Sequence, residues 1–176
     1  MTKTLVVADS SSLIISAKAH IIEIMCREFD LLIPEAVFNE SVVSGKALEK
    51  PDAAIISQMV NGNKIRVKSA VFEGNRGAQA IAADFRLGKG ESEAIALFLQ
   101  EEADLLLVDD RKGIGVSKAL EISWATVPDM IVYLKRAEKL SYDSAIMAID
   151  ACQKEGRYKI GFIMRAIQSL ESGVKK

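Results

Sequence analysis

Acidic residues end two of the predicted strands of this chain. Asp9 directly follows the apolar run 5–8, and Asp109 and Asp110 directly follow the apolar run 105–108. In parallel α/β sheets, ligands bind beyond the carboxyl ends of the strands, so these carboxylates are expected to converge at one edge. Carboxylates that share one site resist ionising together. A hard divalent cation such as Mg²⁺ relieves that repulsion, so the pattern predicts a metal site.

Each of these acids also has an ordinary structural explanation. Asp9 begins a run of helix-capping residues that continues through Ser10 and Ser12. Asp109 or Asp110 can likewise start a turn. For each strand end considered by itself, a structural role in a cap or turn is enough to explain the acid. Two acids at corresponding strand ends, one of them doubled, favour a shared site without excluding the capping interpretation.

The hydrophobic pattern predicts the elements that position these acids. Short apolar runs predict strands at 5–8, 31–33 and 105–108, and a further strand is predicted at 122–124. Alternation at period two predicts a strand with one solvated face, at an edge of the sheet, over 64–68. Helical periodicity lies between them, including one helix over 13–29 with His20 in its middle and one over 91–102. The predicted fold is α/β, a three-layer α/β/α domain with a central, mainly parallel sheet over residues 1–125. Residues 126–176 are predicted to be a C-terminal helical extension packed on the same domain.

Composition limits the functional classes. The 176 residues carry a formal net charge of −1, a mild argument against nucleic-acid binding, although a local basic rim is compatible with that total. The two cysteines, Cys26 and Cys152, are too few and too isolated for a disulfide framework or a zinc site, and are expected to be buried. The short apolar N-terminal run is not typical of a signal peptide, and no apolar stretch suits a membrane span. We therefore expect a cytoplasmic protein.

Four segments, taken in order, resemble the four acidic elements of the PIN-domain family. The first, 7–14, is similar to the opening Asp-x-Ser/Asn-x-Leu-Ile element, and the second, 33–40, to a strand–Pro–helix element that ends in Glu. The third, 90–97, is similar to an acid followed by Ala-x-Ile-Ala, and the fourth, 105–111, to a strand that ends in an acid. The doubled Gly-Glu-x-Glu-Ala, the Asp-Asp-Arg and the helical extension are closest to a PIN-like subgroup described as predicted nucleic-acid-binding proteins.

The resemblance implies a function and a set of site residues. The acids that match the family's Mg²⁺ or Mn²⁺ site are Asp9, Glu40, Glu93 and one of Asp109 or Asp110, and Ser11 matches a hydroxyl that helps to hold it. It implies a metal-dependent ribonuclease that hydrolyses RNA. Many PIN-like proteins of this size are toxins of toxin–antitoxin pairs, which adds an antitoxin protein as a partner. PIN-like proteins are also commonly dimers, so a homodimer is expected.

The chain departs from the family pattern in its third acid, which is Glu rather than Asp. Glu91 and Glu93 lie about 200° apart on a helix, so only one of them is expected to face the site. Glu93 is preferred because it directly precedes Ala-Ile-Ala, which leaves Glu91 as a first-turn acid favoured by the helix dipole. The altered acid and the low net charge motivate a second hypothesis, a catalytically weak PIN-like nucleic-acid-binding or protein-interaction module.

Three cations follow the fourth strand and are candidates for phosphate contacts: Arg111, Lys112 and Lys118. A solvated helix face explains the same residues equally well.

Overall fold

A central sheet of five parallel strands organises the chain in the computed structural model, which describes residues 3–70, 76–156 and 158–172. The strand order is β3-β2-β1-β4-β5. The bounds are β1 (Leu5–Ala8), β2 (Asp30–Pro34), β3 (Ile65–Lys68), β4 (Leu105–Leu107) and β5 (Trp124–Ala125). The predicted parallel sheet is confirmed, and so is the edge position of the third strand.

Helices connect every pair of successive strands, and the first two helices both lie between β1 and β2. In the first half they are α1 (Ser10–Lys18), α2 (Ile22–Glu28), α3 (Glu35–Phe38), a π-helical turn (Asn39–Val43), α4 (Ser44–Ala47) and α5 (Pro51–Asn61). In the second half they are α6 (Arg76–Asp84), α7 (Lys89–Gln100), α8 (Arg111–Ala119), α9 (Val127–Arg136), α10 (Tyr142–Glu155) and α11 (Ile160–Glu171).

The single helix predicted over 13–29 is wrong, and so is the placement of His20 within it. His20 is exposed in a turn between α1 and α2, with φ of 57°. A residue in this left-handed conformation does not continue a right-handed helix. The apolar spacing runs on through the turn because Ile21 and Ile22 are both buried, so periodicity alone does not reveal the break.

The core lies on both faces of the sheet, as the three-layer prediction requires. Val6 and Ala8 of β1 pack into one cluster with α1, α2, α5 and the C-terminal helices, while Val7 packs into a second cluster with α7 and α8. This alternation follows from the two-residue repeat of a strand. Helices α9, α10 and α11 contact one another, and α10 also contacts α1.

Both cysteines are buried free thiols, as expected. Within the described ranges, none of the helices combines the length and the apolar character that crossing a membrane requires.

Candidate metal centre at the strand ends

Asp9 occupies the carboxyl end of β1 and is 1% exposed. Its backbone N–H donates to the carbonyl of Leu107 at 3.1 Å, which sets the ends of β1 and β4 side by side. Its Oδ1 accepts from the Ser12 N–H at 2.8 Å and so caps α1. Its Oδ2 is buried without a hydrogen-bond partner among the described residues. Burial raises the pKa of Asp9 to about 7 because the charged form loses its hydration.

Asp109, beyond β4, repeats this arrangement. Its Oδ1 accepts from the N–H of Val127, the first residue of α9, at 3.0 Å. Its Oδ2 is buried and again finds no partner in the described part of the chain. Burial raises the pKa of Asp109 to about 6. Asp9 and Asp109 each therefore accept an N–H from the first turn of a helix with one oxygen and leave the other without a partner among the described residues.

Two hydroxyls that the sequence did not single out lie against these carboxylates. Ser12 is fully buried, and its side chain lowers the pKa of both Asp9 and Asp109. The Tyr158 hydroxyl also lowers the pKa of Asp109, while burial and the negative charge of Asp109 raise the pKa of Tyr158. Neither hydroxyl oxygen forms an aligned hydrogen bond within the described ranges. The two acids, the serine and the tyrosine thus form one buried polar group.

Asp110 and Glu91 form a second acidic pair next to the first. Asp110 caps α8 by accepting from the Lys112 N–H at 2.7 Å. Glu91, in the first turn of α7, accepts from the Gly88 N–H at 2.9 Å, as its predicted first-turn role requires. Burial raises the pKa of Glu91, and the neighbouring carboxylate of Asp110 raises it further. The negative charge of Glu91 is also close enough to Asp9 to raise the pKa of that carboxyl.

Glu40 and Glu93 bind protein donors instead. Glu93 Oε2 accepts from the Ala36 N–H at 3.0 Å, and Glu93 Oε1 lies 3.7 Å from Lys89 Nζ. Glu40, in the π-helical turn, accepts from the Gly90 N–H at 3.1 Å and from the Ser10 hydroxyl. Both carboxylates thus join the α3–π segment to α7. Of the two acids on α7, the structure brings Glu91 toward Asp9 and directs Glu93 to α3.

The position of Ser11 differs from that of the other site candidates. Its side chain is exposed and lines a cavity of about 360 Å³ that also contacts Asp109 and Asp110. The buried hydroxyl beside Asp9 belongs to Ser12, because Asp9 caps the helix and its first turn carries Ser12 inward. In the described ranges, no three Asp, Glu, His or Cys side chains stand close enough to hold an ion as they are.

Two of the three candidate phosphate-binding cations face the strand ends. Arg111 and Lys118 line a cavity of about 410 Å³ next to Asp109. Lys118 Nζ also lies 5.5 Å from the centroid of the Trp124 ring. The Lys112 ammonium donates to the carbonyl of Arg86 at 3.1 Å, which ties it to the end of α6.

A protein-family model described as a PIN domain matches residues 5–172. The match runs without interruption through the sheet and the three C-terminal helices. No curated protein matches the chain.

Proposed function

Because the chain belongs to the PIN-domain family, whose members are typically nucleases that generally use divalent metal ions, we propose that it is a divalent-metal-dependent ribonuclease. One observation carries the proposal: two neighbouring carboxylates, Asp9 and Asp109, each keep a buried oxygen without a partner among the described residues. Buried charge is costly unless it is paired or coordinates a metal.

The donor chemistry at the strand ends fits Mg²⁺ or Mn²⁺. Carboxylate oxygens are the ligands that such hard ions prefer, and Mg²⁺ is usually held by one or two carboxylates with water in its other positions. Asp9 and Asp109 would hold the ion, with Glu91 and Asp110 next to them. When bound, the ion supplies an activated water and neutralises charge on the phosphate that is cleaved.

Other residues of the chain support this chemistry by position. Ser12 donates its N–H to Asp9 and keeps the second oxygen of that carboxylate directed away from the helix. Glu40 contacts Ser10 and Gly90, the neighbours in sequence of Asp9 and Glu91, and so keeps α1 and α7 together. Arg111 and Lys118 supply positive charge beside Asp109, where a phosphate backbone would lie.

The decisive test is cleavage of single-stranded RNA by purified protein in Mg²⁺ or Mn²⁺, with EDTA as the negative control. Asp9→Asn and Asp109→Asn are compared with Asp104→Asn, a carboxylate that accepts from the Leu5 N–H at the opposite end of the sheet. We expect metal-dependent cleavage that both site variants lose and the control keeps. Cleavage that persists in EDTA, or equal activity in all three variants, would contradict the proposal.

One observation favours the alternative, a binding or interaction module without strong catalysis. Glu40 and Glu93 both bind protein donors, and the described side chains form no ready group of three metal ligands. Under this alternative the protein binds RNA but cuts none of several substrates in either metal. The same cleavage assay therefore separates the two functions.

A toxin role, an antitoxin partner and a homodimer are further parts of the proposal. The C-terminal helices α9, α10 and α11 contribute Ile131, Leu134, Ile149 and Ile163 to the chain's own core. Among the described residues, the large hydrophobic side chains that those helices leave exposed are Tyr133, Tyr142, Met147, Ile160 and Met164. Light scattering at micromolar concentration tests the dimer, and Met147→Lys should reduce the measured mass if this face is the interface.

A further inference from the structure

A cavity of about 410 Å³ opens beside Asp109, between α8 and the start of α11. Its lining residues come from both halves of the chain: Asp109, Arg111, Ile114, Gly115, Lys118, Thr126, Tyr158, Lys159 and Phe162. Ligand-binding pockets commonly have volumes of about 300 to 1,000 Å³, so this one has room for a small ligand. Because Asp109 and Tyr158 also belong to the buried polar group, the cavity adjoins the proposed metal centre.

The charge of the lining favours an anion. Arg111, Lys118 and Lys159 are all exposed, and none of them forms an ion pair with a described residue. Among the described residues of the lining, Asp109 is the one acid, and its Oδ1 is already bound to Val127. Three such cations around one opening match a phosphate group.

The rest of the lining favours a flat apolar group next to that phosphate. Phe162, in the first turn of α11, is partly buried, and the guanidinium of Arg165 lies 5.4 Å from its ring centroid. Ile114 adds aliphatic surface on the α8 side. Proteins that bind single-stranded nucleic acid combine a cationic groove with aromatic side chains on which bases stack. The second cavity next to Asp109 also contains Arg111 and Tyr158, but the acids Asp110 and Glu155 in its lining make it less favourable to an anion.

We propose that the cavity binds one nucleotide of single-stranded RNA, with its phosphate at Arg111, Lys118 and Lys159 and its base against Phe162. Its position beside the bond that is cleaved rests on the proposed function, since Asp109 borders both the cavity and the metal centre. The C-terminal helices therefore form part of the substrate site as well as part of the core.

The test is a binding measurement in EDTA, so that it does not depend on catalysis. Fluorescence anisotropy with a labelled 2′-O-methyl RNA hexamer compares Phe162→Leu and Lys118→Gln with wild type. The matched controls are Tyr133→Leu, an exposed aromatic on α9, and Lys64→Gln, an exposed cation before β3. Circular dichroism confirms that every variant is folded.

We expect Phe162→Leu to weaken binding about tenfold, as the loss of one stacked base does. Lys118→Gln should reduce the slope of log K against log salt by about 0.7, the value for one phosphate contact on a single strand. Neither control should change affinity or slope. Adenosine 5′-monophosphate should displace the hexamer at lower concentration than inorganic phosphate does.

Each outcome separates this proposal from the ribonuclease proposal. If wild type cleaves RNA but Phe162→Leu and Lys118→Gln bind the hexamer as wild type does, the subsite is wrong and the nuclease stands. If both variants weaken binding while wild type cuts no RNA, the subsite stands and the nuclease proposal fails. If phosphate competes as well as the nucleotide and Phe162→Leu has no effect, the cavity binds simple anions and the nucleotide proposal is overturned.

Discussion

The acids at the strand ends and the acids at the contact between α3 and α7 have the same chemistry but different surroundings. Asp9 is buried and Asp109 is half-buried, and each keeps one buried oxygen without a partner among the described residues. Glu40 is exposed and Glu93 is half-buried, and both carboxylates accept from backbone N–H groups. A carboxylate whose hydrogen bonds are complete stabilises the fold, whereas a buried one with a free oxygen costs stability. The comparison teaches that local partners, rather than residue type, distinguish a candidate ligand from a structural acid.

The largest expected effect is on catalysis at the strand ends. Asp9→Asn should reduce metal-dependent RNA cleavage by about a hundredfold or more, because it removes a charged ligand while its Oδ1 still caps α1. Initial rates on a labelled RNA in Mn²⁺ measure the loss. Calorimetric titration should show weaker Mn²⁺ binding by the same variant. Unchanged metal affinity would remove Asp9 from the site.

The second prediction compares the two glutamates of α7. Glu91→Gln should reduce the cleavage rate by about tenfold or more, since Glu91 lies toward Asp9 and Asp110. Glu93→Gln should change the rate by less than about threefold and instead lower the free energy of unfolding by about 1 kcal/mol, through a weaker bond to Ala36. Rates and urea unfolding are measured on both variants. The reverse order of rates would restore Glu93, the choice made from sequence, as the ligand.

The third prediction concerns stability without metal. In EDTA at pH 8, Asp9→Asn should raise the free energy of unfolding by about 1 to 3 kcal/mol, because it removes a buried charge. Since burial raises the pKa of Asp9 to about 7, the folded state prefers the protonated acid. That preference stabilises the wild type at low pH and is lost as pH rises from about 4 to about 7. The gain from Asp9→Asn should therefore be small at pH 4 and complete above pH 7.

Urea unfolding of wild type and Asp9→Asn across this pH range measures the third prediction. Asp104→Asn, which changes an exposed carboxylate, is the control and should show no comparable gain. A gain of equal size at pH 4 and pH 8 would mean that the buried charge of Asp9 is not its source.

The smallest expected effect is that of removing the Ser10 hydroxyl, which donates to Glu40. Ser10→Ala should lower the free energy of unfolding by about 1 kcal/mol, the value of one side-chain hydrogen bond. Its cleavage rate should stay within about threefold of wild type. Thermal unfolding followed by circular dichroism measures the first effect. A hundredfold loss of activity in Ser10→Ala would show that Glu40 takes part directly in the chemistry.

Much of the fold and the strand-end acids were predictable from local sequence. An apolar run that ends in an acid places that acid at a strand end, and the parallel sheet then brings Asp9 and Asp109 to one edge. The phase of α7 was not predictable in this way. A two-residue difference decides whether Glu91 or Glu93 faces the site, and helix packing determines it.

The contribution of α11 also escaped the sequence reasoning. Tyr158, Lys159 and Phe162 lie about 50 residues beyond Asp109 in the chain, and no local pattern indicates where that helix packs. The turn at His20 was missed for a related reason, because burial of Ile21 and Ile22 continues the apolar pattern through it.

The contacts of Glu40 and Glu93 have a mechanical consequence. The first runs from the π-helical turn to the start of α7, and the second runs from α7 back to the start of α3. A single contact between two helices allows them to rotate about that contact, whereas two contacts at different points fix the angle between the helices. Cutting either contact alone should therefore free a rotation that tilts Glu91 relative to Asp9. Cutting the second should add little to that tilt, so the small rate changes expected of the two single variants should not add in the double variant.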